Sequence, residues 1–316
     1  MRGALDRRSF LGLCAFAGAA TLVPRWVRAQ AAQSSNRTAQ DTDEAARTPV
    51  KVTKLYDNVY WLQGAGGNML LQTGADGDLL VDASFPAAVP QVLKAIAATS
   101  SDRPATLINT HWHFDHTGGN EGLHAAGFKI VAHENTRIHL ARGEEIKLLH
   151  VTSQPAAAGA LPSITIDKSA RLWTNGDSVD VIHFDPAHTD SDVYIHFHKA
   201  DVLHMGDTWF HGIYPFIDEG TGGGIGGMIA ACDKALAVAG KDTKIVPGHG
   251  PVGTRADLEK YRDMLVGVRE KVAMLKAKGL SEKEALAQKP TAEWDSLMGA
   301  GIMTPEAFAG IVYRTL

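Results

Sequence analysis

His111-Trp112-His113-Phe114-Asp115-His116-Thr117-Gly118-Gly119-Asn120 places three histidines and an aspartate within six residues. The stretch begins where a β-rich run, Ala105–Asn109, ends, so its polar side chains sit in a loop at a strand end. Loops there can turn several side chains inward while the sheet holds the backbone. Imidazole nitrogens and carboxylate oxygens suit Zn(II). Four such groups in so short a span are more than one tetrahedral ion takes from adjacent positions. They imply two metals, or one metal with a carboxylate that orients its ligands. The chain has 14 histidines, but a chance His-x-His-x-Asp-His followed by two glycines is improbable.

Working outward, the pattern of a strand followed by a polar ligand type recurs. Ala187-His188-Thr189 follows the β-run Ser178–Phe184, Met205-Gly206-Asp207-Thr208 follows Val202–His204, and Pro247-Gly248-His249-Gly250 follows Lys244–Val246. Other short β-runs are Val50–Leu55, Asn58–Gln63, Asn68–Gln72, Leu79–Asp82, Phe128–Ala132, Ile164–Ile166, Ala170–Thr174 and Val193–Phe197. Helical periodicity covers Ala87–Ala98, Gly119–Ala126, Glu134–Leu149, Met228–Ala239, Ala256–Gly279, Ser281–Gln288 and Pro305–Tyr313. The order of β-run, mixed α/β, β-run, mixed α/β predicts an α+β/α/β chain of two similar halves, two sheets flanked by helices, with no linker between them.

With these motifs in order, the chain resembles the metallo-β-lactamase-fold hydrolases, whose hallmark is His-x-His-x-Asp-His. The resemblance spans residues 49–316 and implies a four-layer αββα sandwich closed by C-terminal helices. It also implies that His111, His113 and His188 hold one Zn²⁺, that Asp115, His116 and His249 hold a second, and that Asp207 bridges them. In such a site a hydroxide held between the two cations attacks a carbonyl carbon, and Asp115 is the catalytic group that orients it and shuttles a proton. The same resemblance admits a mononuclear iron dioxygenase acting on persulfides, and a metal-binding periplasmic protein without turnover.

Departures from the pattern narrow the substrate. His113 stands where oxygen-reducing diiron members carry Glu, and Gly248-His249-Gly250 differs from the Gly-His-Glu-Tyr of glyoxalase II. The lysine with which zinc β-lactamases hold a β-lactam carboxylate is matched by Phe210. The run Trp209-Phe210-His211-Gly212-Ile213-Tyr214-Pro215-Phe216 offers Trp209, Phe210, His211 and Tyr214 as a substrate wall, and the glycine-rich Gly220–Gly227 reads as a mobile segment beside the site. A small, largely apolar ester, lactone, thioester or strained amide is the expected substrate.

Composition agrees with a globular enzyme. The 316 residues are 45% hydrophobic and 21% charged, with 31 Lys+Arg against 35 Asp+Glu. That length and apolar content suit one large domain. Two cysteines exclude a disulfide scaffold, and the acidic balance argues against a nucleic-acid partner. The amino terminus reads as a targeting segment. Arg7-Arg8-Ser9-Phe10-Leu11 opens a twin-arginine pattern, an apolar run follows to Val23, and Ala29-Gln30-Ala31 offers a small-x-small cleavage site. Residues 1–31 are expected to be a Tat-type signal that directs the folded protein to the periplasm through the Tat export machinery, with no stable membrane insertion. Cleavage would remove Arg2, Arg7, Arg8, Arg25, Arg28 and Asp6, taking the formal charge from −4 to −8. Residues 32–48, polar and poor in apolar side chains, read as a disordered spacer.

Overall fold

Strand Val59–Gln63 shows how the layers arise. Val59 and Trp61 belong to one apolar cluster and Leu62 to another, the period-two alternation of a strand buried on both faces. The computed structural model describes residues 39–100, 105–149, 151–298, 301 and 303–316. The expected export signal, 1–31, lies outside the described residues.

The first sheet has seven strands: β1 (Lys51–Tyr56), β2 (Val59–Gln63), β3 (Met69–Gln72), β4 (Asp78–Val81), β5 (Ala105–Ile108), β6 (Phe128–His133) and β9 (Ile164–Ile166), in the order β1-β2-β3-β4-β5-β6-β9. It is antiparallel from β1 to β4 and parallel from β4 to β9. The second sheet runs in sequence order through β10 (Ser169–Thr174), β11 (Asp177–His183), β12 (Val193–Phe197), β13 (Val202–His204) and β14 (Lys244–Val246), with only β13 and β14 parallel. Asn175 (φ 54°) and Gly176 (φ 71°) make the tight turn between β10 and β11.

Residues such as Val81, Ile108 and Val131 from the first sheet meet Val181, Ile195 and Val246 from the second in a shared core. On its other face the first sheet packs Leu71, Leu80 and Leu107 against Val92 and Ile96 of α2 (Val89–Thr99) and Leu123 of α4 (Asn120–Ala125), beyond the one-turn α3 (Phe114–Thr117). The second sheet is covered by α6 (Ile225–Val238), α7 (Arg255–Ala277) and α10 (Pro305–Arg314). Leu258, Tyr261, Leu265, Val268 and Val272 make the buried stripe of α7, which starts at a capping box between Thr254 and Asp257. Four layers in the order α-β-β-α follow. Two short helices, α8 (Glu282–Ala287) and α9 (Asp295–Met298), connect α7 to α10. Among the described residues, no helix is long and apolar enough to cross a membrane.

Two expectations are corrected. The spacer expected over 32–48 contains helix α1, Ala39–Arg47. Ala45 is buried with Ala65, Phe85 and Ala88, and Gln91 Nε2 donates to the Ala46 carbonyl at 3.0 Å. Alanines carry high helix propensity, and one small apolar contact is enough to dock a segment that is polar elsewhere. The helix expected over Glu134–Leu149 stops at Arg142 as α5. Gly143 takes φ 74°, and a Cβ there would lie 2.5 Å from the Ser153 carbonyl oxygen, so the chain turns away. A two-stranded hairpin follows, β7 (Glu145–Ile146) and β8 (Val151–Thr152), belonging to neither sheet.

Candidate metal centre

Each ligand-type residue lies just past a strand of the two sheets: His111 after β5, His188 in the loop after β11, Asp207 after β13 and His249 after β14. The strands end on one edge of the sandwich, and there the seven side chains meet, all buried. His111, His113, His188 and Asp207 form one group whose ligand atoms lie within 4.8 Å of one another, and Asp115, His116 and His249 form a second. Asp207 faces both. Its carboxylate oxygens lie 3.1 Å from His116 Nε2, 3.3 Å from His249 Nε2, 3.5 Å from His188 Nε2 and 3.9 Å from His111 Nε2. Asp115 Oδ2 lies 3.3 Å from His249 Nε2 and 3.5 Å from His116 Nε2. The structure brings together all seven residues that the sequence reading singled out.

Four of the five rings are aimed by a bond from the other nitrogen. His116 Nδ1 donates to Asp82 at 2.7 Å. His111 Nδ1 donates to Thr110 Oγ1 at 3.0 Å, and that hydroxyl in turn donates to Asp82 at 2.8 Å. His188 Nδ1 donates to the Phe216 carbonyl at 2.8 Å, and His113 Nε2 donates to Asp218 at 3.2 Å. These bonds leave Nε2 of His111 and His188, and Nδ1 of His113, as lone pairs turned inward, while Nε2 of His116 faces the Asp207 carboxylate at 3.1 Å. His188 Nε2 and His113 Nδ1 are only 2.9 Å apart, and His111 Nε2 is buried with no hydrogen-bond partner. Converging lone pairs repel unless a cation lies among them, so the donor set fits divalent metal ions in both groups.

The scaffold around the site is close-fitting. Asp82 (φ 63°) and Ser84 (φ 57°) hold left-handed backbone, a local strain carried where Asp82 anchors two rings. Gly248 lies so near Asp207 that a Cβ would come within 1.9 Å of its carboxylate. Asn68 Nδ2 donates to the carbonyls of Pro247 and Gly250 at 2.9 and 2.8 Å, fixing the loop that presents His249.

Charge follows the same division. Burial works against protonating His249, but Asp207 and Asp115 outweigh it and lift the ring to about 9. His116 is also driven up against burial, by Asp207, Asp115 and Asp82. Burial opposes ionising Asp115, yet His116 and His249 hold it down at about 2. Asp207 is likewise held well below the carboxylate range, against burial, by His249, His116 and His111. Burial, helped by the His113 ring and opposed by Asp207, brings His188 down to about 4, and burial with the neighbouring His116 ring pushes His111 far down. Two permanent carboxylates among neutral or proton-competing rings are a receptacle for cations, and protons compete for it.

The expected substrate residues separate. Phe210 lines the cleft over the site with His113, Phe114, Asp115, Ile146, Leu149, Asp207, Phe216 and His249. Its ring stacks on His249 with centroids 5.2 Å apart. Trp209 is instead fully buried and stacked on His211, whose Nδ1 donates to the Pro251 carbonyl at 2.7 Å. Tyr214 stacks on Phe308 and its hydroxyl donates to Asp295 at 2.9 Å. Trp209 and Tyr214 are therefore packing residues, corrected from substrate contacts, and the half-buried His211 lies outside the cleft lining. Alternation in an irregular segment has no fixed period, so sequence could not say which aromatic faces the site. The glycine-rich segment expected to be mobile is tied down. Gly223 N–H donates to the Asp218 carbonyl and Gly224 N–H to that of Ala187, while α6 begins at Ile225. Sequence reading missed Asp82, Thr110 and Asp218. Asp82 carried one signal, its place at the end of a predicted strand on the ligand edge.

Asp218→Ala removes the acceptor that fixes the His113 tautomer. Metal affinity should fall about 10- to 100-fold, read by chelator competition, with secondary structure unchanged by circular dichroism. An unchanged affinity would contradict the assignment of Asp218.

Comparison with known proteins places this geometry. The profile described as the metallo-beta-lactamase superfamily matches residues 52–265. The chain is 23% identical over 224 residues to the acyl-coenzyme A thioesterase MBLAC2 of Gallus gallus, an alignment covering 62% of this chain and 78% of that protein. It is 26% identical over 196 residues to a hydroxyacylglutathione hydrolase of Polaromonas sp., covering 57% and 66%. Among solved structures, a metallo-beta-lactamase from Pontibacter korlensis superposes with a TM-score of 0.57 at 19% identity, over 69% of this chain and 99% of that one. The inverting sec-alkylsulfatase Pisa1 from Pseudomonas sp. gives 0.65 at 18% identity over 96% of this chain and 54% of its own. Those identities show a shared fold and nothing narrower. With the profile covering most of the chain and seven buried ligand side chains gathered at one sheet edge, the protein belongs to the metallo-beta-lactamase superfamily.

Proposed function

We propose that the protein is a dinuclear zinc hydrolase of small, neutral acyl compounds, esters, lactones or thioesters, and that it acts in the periplasm. The observation that carries the reading is Asp207 facing four histidines drawn from both groups. Bound there, two divalent cations would supply a Lewis acid for an acyl oxygen and bring the pKa of water toward neutrality. The chain's own residues supply the rest. Asp115 opens onto the cleft beside His249 and His116, where its Oδ2 can take and return a proton. Asp82 and Asp218 hold the outward protons of His116 and His113, so the inward nitrogens stay available. Phe114, Phe210 and Phe216 exclude water and offer apolar surface to the substrate.

The relatives support an acyl substrate, since one is named an acyl-coenzyme A thioesterase and another a hydroxyacylglutathione hydrolase. Among the described residues, the cleft lining contains no lysine or arginine. Lys234, the one basic side chain between 200 and 240, pairs with Asp185 at the exposed surface. An anionic substrate would forgo a charged hydrogen bond of about 1.5–3 kcal/mol. Neutral p-nitrophenyl esters, lactones or acyl thioesters should therefore outperform nitrocefin in a side-by-side panel of kcat/KM. Nitrocefin as clearly the best substrate would overturn the substrate class.

Export is proposed from the sequence alone. Changing Arg7 and Arg8 together to lysine should leave the precursor in the cytoplasm, because the export receptor reads that pair. Unchanged recovery from the periplasm on fractionation would refute it.

A further inference from the structure

The first metal group depends on a loop that its own sequence leaves loose. Residues 216–224 supply two of that group's outer acceptors. The Phe216 carbonyl takes the His188 Nδ1 proton at 2.8 Å, and the Asp218 carboxylate takes the His113 Nε2 proton at 3.2 Å. Four of the nine residues are glycine, at 220, 222, 223 and 224, so the backbone gives up much conformational freedom in holding one shape. Bonds inside the loop shape it. Thr221 Oγ1 and Gly220 N–H donate to the Asp218 carboxylate at 2.8 and 3.0 Å, and Gly223 N–H donates to the Asp218 carbonyl at 2.9 Å. Asp218 N–H donates to the His188 carbonyl at 2.9 Å and Gly224 N–H to that of Ala187 at 2.8 Å. Those last bonds tie two irregular segments to each other.

The tie to the helical layer comes from Arg314, in the last turn of α10. Asp218 and Glu219 are adjacent and serve opposite sides: the buried Asp218 carboxylate meets His113, and the Glu219 carboxylate meets Arg314. Arg314 Nη2 donates to Glu219 Oε1 at 2.7 Å and Nε to Oε2 at 2.9 Å, a two-pronged fork, while Nη1 donates to Glu282 at the start of α8. Among the described residues, no other side chain of α6 to α10 bonds to residues 216–224. The helix that carries Arg314 is itself held. Phe308, Ile311 and Val312 are buried in the helical core, and Lys276 of α7 donates to the Tyr313 carbonyl at 2.9 Å. The two charged side chains are 37% and 31% exposed, so salt screens them less than a free surface pair.

We propose that Arg314 is a positioning residue of the first metal group. Through Glu219 it holds the backbone on which Phe216 and Asp218 present their acceptors, and so keeps His113 and His188 in the orientation a metal ion needs. The proposal rests on the metal-centre reading and requires no particular substrate. Two other ligand rings are aimed from elsewhere and serve as internal controls. His116 Nδ1 donates to Asp82 and His111 Nδ1 to Thr110, both at strand ends of the first sheet. Loss of Arg314 should therefore be felt at His113 and His188 and not at His111 and His116.

The test follows solvent exchange of the imidazole N–H protons by NMR in the zinc-loaded full chain, beside zinc affinity by chelator competition. In Arg314→Met, which keeps an apolar stem, the ring protons of His113 and His188 should exchange faster while those of His111 and His116 keep their rates. The affinity for one of the two zinc ions should fall about three- to tenfold, short of the roughly 10- to 100-fold loss on removing a group that bonds a ligand directly. Arg314→Lys, which keeps the charge and loses the fork, should recover part of both effects. Unchanged exchange at His113 and His188 would overturn the proposal. So would faster exchange of equal size at all four rings, which is a general loosening of the fold. Should Arg314→Met fail to fold, Glu219→Gln decides by the same two readouts. Should the unaltered protein bind no zinc, the metal-centre reading fails instead, and the same exchange comparison in the zinc-free protein still decides whether Arg314 places the two rings.

Discussion

Asp115→Asn should lower kcat by about 10²- to 10⁴-fold, the span typical of a lost general acid or base, while circular dichroism stays as in the unaltered protein. The amide matches the carboxylate in shape, so the close packing around His116 and His249 survives. It cannot take a proton at the position where Oδ2 lies 3.3 Å from His249 Nε2. Occupancy of the second metal group should also fall, because its one carboxylate becomes a neutral ligand. A variant with full activity would remove Asp115 from the mechanism.

Asp207→Ala should have the broader effect. One carboxylate faces rings of both groups, so its loss should empty both metal sites at once and reduce turnover more than about 10³-fold, beyond the roughly 10- to 100-fold cost of losing a residue that merely orients a ligand. The same variant makes a pH prediction in the metal-free protein. Burial lowers the His249 pKa, and Asp207 is the largest influence raising it to about 9. Without that anion the ring should titrate at lower pH, a shift measurable by NMR of the imidazole protons. In the unaltered protein a raised ring pKa means that protons occupy the site below about pH 9, so metal binding should release protons and its apparent affinity should weaken as pH falls. A His249 pKa that does not move in Asp207→Ala would show that the two residues do not share a site.

How much of this was legible in sequence depended on how local its cause was. Strands β12, β13 and β14 matched their expected bounds because short runs such as Val193–Phe197 and Val202–His204 are apolar or β-branched and end in turn residues. The seven ligands were legible because four lie in one contiguous motif and each of the others follows such a strand. The hairpin at 145–152 was not, because the mixture of charged and apolar residues from Glu144 to Leu149 continues the helical pattern of α5; a single glycine with positive φ breaks it. Asp82 and Asp218 escaped for a different reason. They meet His116 and His113 across 34 and 105 residues of sequence, contacts that only the closed sandwich creates. The same holds for Ile146, whose burial comes from a tertiary neighbour and not from its own strand.

The central claim is a site built for two metal ions that share Asp207. Elemental analysis of the purified full-length protein, normalised to chain concentration, addresses it directly. Two zinc ions per chain, both lost in Asp207→Ala, is the predicted result. One iron per chain, with oxygen consumed when a persulfide is supplied, would contradict it.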